Sequence, residues 1–122
     1  GVIWLVQLVH YPSFRYISTH KFKRFTIFHQ KKISFIVAPV MTLEILSNIF
    51  LLFYYNINIS FVEYLSSFLL FLIWLVTFLI SVPCHNQLSI GFSESIITKL
   101  IVTNWIRTLL WSFRALILLI KL

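Results

Sequence analysis

His10, His29 and His85, with Tyr11 beside the first of them, and the acid Glu44 are the side chains whose chemistry could reach beyond packing. Neutral imidazoles with one carboxylate suit zinc, iron or copper as a transition-metal site. Two of the histidines could instead serve as axial ligands to haem. Spacing adds little to that reading, because no H-x-x-x-H, H-x-x-E-H or C-x-x-C pattern is present. A glutamate held by an arginine is also a poor ligand, since the cation competes for its charge. Cys84 adjoins His85, yet neighbours in sequence do not thereby form a nucleophile and base, and no G-x-S-x-G signature accompanies them. One cysteine cannot form an internal disulfide, so Cys84 reads as an inert thiol.

A second set of polar residues lies in TNWIRTLLWSFR, Thr103 to Arg114, where two arginines interrupt an otherwise apolar run. The elements that hold them follow from composition. The 122 residues are 60% hydrophobic, 18% aromatic and 11% charged, with mean hydropathy +0.95. A soluble chain carries about 25% charged residues, and a globule of this size cannot hide so much apolar surface. A bilayer can cover it. The apolar runs are continuous, without alternation of period two, which argues against barrel strands. The predicted fold class is therefore an all-α membrane protein, a four-transmembrane-helix bundle forming one domain. Its spans are expected at about 1–10, 34–55, 61–82 and 97–120. The middle and last runs each give about 33 Å of helix against a hydrocarbon core of about 30 Å. The first, stopping before Pro12, gives only about 15 Å and is expected to be a helix truncated at its N-terminus.

Arg15, Lys21, Lys23, Arg24, Lys31 and Lys32 fall between the first two spans, and Lys99 lies on the same side after the third. That bias predicts a basic cytoplasmic loop over 11–33, with the NINIS turn, Asn56 to Ser60, outside. FRYISTHKFKRF interleaves cations with aromatics, a pattern that beside a membrane reads as an interfacial anchor for anionic headgroups. The expected partners are the lipid bilayer and other membrane subunits or a second copy; no nucleic acid is expected.

Within the last span, Asn104, Arg107, Trp111 and Arg114 fall within about 80° of one another at 100° per residue and define one inward stripe. The second span offers Ser34, Met41, Glu44 and Asn48. Counted from the cytoplasmic face, Glu44 lies about 15 Å deep and Arg107 about 12 Å, which predicts a Glu44–Arg107 ion pair with Asn48 level with Arg114. Glu63, Ser67, Trp74, Thr77, Ser81 and His85 share a face of the third span, with Glu63 expected near Arg114. The buried polar core is thus Glu44, Arg107, Asn48, Asn104 and Arg114. His10, Tyr11, His29 and His85 gather at its cytoplasmic end as the candidate ligand-binding residues, with His20 close by.

WLVQLVHYPSF at Trp4 to Phe14, the H-x-x-K-I-S-x-I-V-x-P-V-M-x-x-E arrangement from His29 to Glu44, the connector SVPCHNQLSIGF and TNWIRTLLWSFR together cover nearly the whole chain. In these the sequence resembles a family of small, uncharacterised bacterial membrane proteins with four predicted helices. The resemblance implies an inner-membrane location but no activity, and it supports the truncated first helix, because such proteins look as if they begin with a complete one. It implies that His10, Tyr11, His29, Pro39, Glu44, Pro83, His85, Asn104, Trp105, Arg107 and Arg114 stand at the family's recurring positions. The 11–33 segment departs from that pattern in being more basic and aromatic.

Three functions fit these residues. A structural or accessory subunit of a membrane complex uses the polar core to fix helix register and the aromatic exterior to meet lipid or partners. A haem- or metal-binding membrane protein uses the cytoplasmic-side histidines. A proton or ion relay uses the intramembrane charges, although four helices leave little room for a pore and no inverted repeat is present. The first is the expectation carried forward.

Overall fold

The computed structural model describes residues 1–54 and 60–121, which are helical almost throughout, with no strand among them. Of the turn expected over 56–60, residues 56–59 lie outside the described residues. Four helical segments follow in order. α1 spans 2–16 and is irregular: an α-helical turn Val2–Leu5, a π turn Val6–His10, an α turn Tyr11–Ser13 and a 3₁₀ turn Phe14–Tyr16. α2 is Thr19–Tyr54, a single helix of 36 residues. α3 spans Phe61–Ile90, in which the π turn Thr77–Ser81 joins Phe61–Val76 to Val82–Ile90. α4 is Glu94–Lys121.

The basic segment expected as a loop over 11–33 is helical instead. Residues 11–16 finish α1, and Thr19 opens α2. The reason is an amphipathic pattern that composition conceals: Phe22, Thr26 and His29 recur at spacings of four and three and are buried, while Lys21, Lys23, Arg24, Lys31 and Lys32 are exposed. The connector after Pro83 is likewise helix, with Cys84 and Leu88 buried four residues apart. Together these segments build the hydrophobic core of the basic end, where Phe14, Phe22, Leu88, Ile97 and Leu100 are fully buried and Cys84 is nearly so.

Two hydrogen bonds fix how α2 meets the end of α3. The last carbonyls of a helix lack intrahelical partners, and the Leu88 carbonyl finds one in Thr26 Oγ1 at 3.1 Å, which shares its proton with the Phe22 and Lys23 carbonyls of α2. Gln30 Nε2 donates to Asn86 Oδ1 at 3.0 Å one turn further on, so the two helices run antiparallel. Thr26→Val should therefore leave a buried carbonyl unpaired and cost about 1–2 kcal/mol in a denaturant titration followed by circular dichroism. The nearby Arg15–Glu94 pair, at 2.8 Å, is exposed on both sides and secures little by comparison.

Both π turns end two residues before a proline, Pro12 and Pro83. A proline ring clashes with the carbonyl four residues back and supplies no N–H, and a widened turn relieves both problems. So α1 passes through Pro12 rather than stopping before it. The π turns also carry buried polar side chains inward, Gln7 in the first and Ser81 in the second.

The exterior is apolar. Phe35, Val40, Leu43, Phe50 and Phe53 stand exposed on α2, and Phe61, Phe71 and Phe78 on α3. Among the described residues, α2 and α3 are long and apolar enough to cross a membrane, with mean hydropathies of 2.0 and 2.5 over eighteen-residue windows.

Candidate functional site

Glu44 meets Arg114, not Arg107. Its Oε1 pairs with Arg114 Nη1, and its Oε2 accepts a hydrogen bond from Trp111 Nε1 at 3.3 Å. Arg114 is held from behind by α3, where its Nε donates to the Ser66 carbonyl at 3.2 Å and to Ser66 Oγ at 3.1 Å. The expected Glu44–Arg107 pairing is corrected by the true helix starts. Counted from Thr19, Glu44 lies twenty-five residues along α2; counted from Glu94, Arg107 and Arg114 lie thirteen and twenty along α4. At about 1.5 Å per residue Glu44 comes nearer the height of Arg114. Asn48 is half-buried and has no hydrogen bond to Arg114. Glu63 closes a capping box with Ser60 at the start of α3, its Oε2 accepting from Ser60 N at 2.6 Å.

Arg107 occupies a neutral setting. Its Nη1 donates to Ser81 Oγ and to Asn104 Oδ1, each at 3.3 Å, and its guanidinium lies 5.3 Å from the Trp111 ring centre. Asn104, fully buried, donates through Nδ2 to Gln7 Oε1 at 2.8 Å, and Gln7 Nε2 donates to the Ile101 carbonyl at 3.2 Å. This chain of amides ties α1 to α4. Trp4 Nε1 donates to Ser112 Oγ at 3.0 Å two turns further along α4.

The histidines form a third layer toward the basic end. His10 Nε2 and His29 Nδ1 share a hydrogen bond of 2.8 Å, and Tyr11 Oη and His85 Nε2 share one of 3.1 Å. The His29 ring lies 4.2 Å from His10 and 5.9 Å from His85, measured between centres, and Phe14 meets His10 and His29 edge-on. His29 Nε2 is buried and bonds nothing. The imidazoles thus come together as the sequence predicts, but they face one another or Tyr11 instead of a common point. No group of three or more His, Cys, Asp or Glu among the described residues could hold a metal ion. His20 is apart from them, exposed on α2 beside Lys23, Arg24 and Ile27.

The inward stripe of α4 holds as expected, with Asn104 and Arg107 buried and Trp111 and Arg114 half-buried. Two contributors were not legible beforehand. Ser66 binds Arg114 while the expected Ser67 turns back to the Glu63 carbonyl of its own helix. Thr108 is fully buried and bonds the Asn104 carbonyl at 3.0 Å. A polar residue next to an expected inward position is the signal that would have pointed to each.

Fold and site define a helical protein with an apolar exterior and an interior of paired polar side chains. The chain matches no protein-family model, no curated protein and no solved structure.

Proposed function

We propose that the chain is an integral membrane protein, a four-helix bundle in the bacterial inner membrane with residues 11–33 on the cytoplasmic side, acting as a structural or accessory subunit of a membrane complex. The supporting observation is inverted polarity: Glu44 and Arg114 pair inside while the apolar window of α2 is only 6% buried. Water offers nothing to such a surface, whereas lipid or a partner helix covers it. The intramembrane ion pair fixes helix register, because separating its members in lipid costs several kcal/mol.

The His10–His29 and Tyr11–His85 hydrogen bonds favour a second reading, a proton relay, since they align proton-carrying groups at one end of the bundle. His85→Ala interrupts that array without touching the Glu44–Arg114 pair, so an accessory subunit should keep its fold and its partners in this variant.

The test is purification from native membranes. The protein should resist alkaline carbonate extraction and co-purify with a fixed set of membrane subunits, colourless and without stoichiometric metal. A Soret band or one equivalent of metal would replace the accessory role with haem or metal binding at the histidines. Release by carbonate would overturn the membrane assignment itself.

A further inference from the structure

The buried charges of the bundle do not balance. Arg107 is 6% exposed, yet among the described residues no carboxylate lies within ion-pair reach of it, and Glu44 is taken by Arg114. Its Nε is buried without a hydrogen-bond partner. Its neighbours Tyr11, Ser81, His85, Asn104 and the Trp111 ring supply no carboxylate. A buried cation so placed costs several kcal/mol, which a bound anion would offset.

The adjoining space defines the rest of that anion. An open cleft of about 1210 Å³ runs between α2 and the other helices, and Arg107 stands in its wall. Val37, Val40, Met41 and Phe78 line it, with Trp74 and Trp111. A carboxylate can accept charge-assisted hydrogen bonds from the part of the guanidinium that borders the cleft. It brings fewer polar groups into this mostly apolar cleft, which Glu44, Ser81 and His85 also border, than the esters of a phospholipid would. We propose that this cleft binds one long-chain fatty acid, its carboxylate on Arg107 and its acyl chain along the Val37, Val40 and Met41 face of α2. The site belongs to this chain alone, so its failure would leave the membrane assignment and the accessory role standing.

Trp74 and Trp111 report on occupancy. In nanodiscs of zwitterionic lipid, the full chain is titrated with stearate brominated at mid-chain and with the equally brominated stearyl alcohol, and tryptophan quenching is recorded. The acid should quench saturably with an affinity about ten-fold above the alcohol, the scale of one charged hydrogen-bonded contact. Arg107→Gln should erase that preference. Ala38→Phe, on the exposed α2 wall of the cleft, leaves the buried core untouched and should weaken both ligands, which keeps the test decisive if the arginine variant fails to fold. Quenching that never saturates, equal affinities in the unaltered protein, acid preference surviving Arg107→Gln, or acid binding unchanged in Ala38→Phe would overturn the proposal.

Discussion

Phe22→Ala is expected to cost about 3–5 kcal/mol of stability, the range for deleting a fully buried aromatic side chain. Phe22 has no exposed surface, and its ring meets Phe14 at 6.2 Å and Phe92 at 5.0 Å, edge-to-face in each case. It thereby joins α1, α2 and the segment between α3 and α4 at one point. The alanine leaves a cavity that three separate elements would have to close, and α2 cannot shift toward it without breaking the Thr26 bond to Leu88. Unfolding in detergent micelles, followed by circular dichroism, measures the loss. A cost under about 1 kcal/mol, the value for an unpacked surface site, would mean that 19–33 is the solvated basic segment its composition suggests.

Glu44→Gln should be comparably severe, at about 3 kcal/mol or more. Glutamine keeps the shape of the side chain and can still accept from Trp111, so the loss reports the charge alone. Arg114 is 11% exposed and Glu44 21%, and the arginine retains its bonds to Ser66, which hold it inside with its charge uncompensated. The same variant adds to the imbalance already present at Arg107, leaving two buried guanidiniums and no acid between them. Expression level and the midpoint of unfolding in micelles should both fall. A variant as stable as the unaltered protein would mean that the acid is solvated or paired elsewhere.

The helical class and the inward stripe of α4 were legible because they depend on local quantities: apolar run length and the 100° step that gathers Asn104, Arg107, Trp111 and Arg114. Heights were not. They depend on where each helix starts, and the starts of α2 and α4 lie in segments too polar to read as apolar helix, so counting from the apolar runs places Glu44 level with Arg107 instead of Arg114. The two π turns add a further shift, since a widened turn displaces every later residue around the helix axis. The gathering of His10, Tyr11, His29 and His85 was legible as a shared end of the bundle. Their mutual pairing was not, because it depends on contacts between helices distant in sequence.

The most direct test of the central claim is a pair of double-mutant cycles in lipid bilayers, Glu44→Gln with Arg114→Met and Glu44→Gln with Arg107→Met, each read as unfolding free energy. The ion pair between α2 and α4 predicts that Arg114→Met relieves most of the damage done by Glu44→Gln, with a coupling of about 2 kcal/mol or more, while the Arg107 cycle is near additive. Strong coupling to Arg107 with additivity at Arg114 would contradict it.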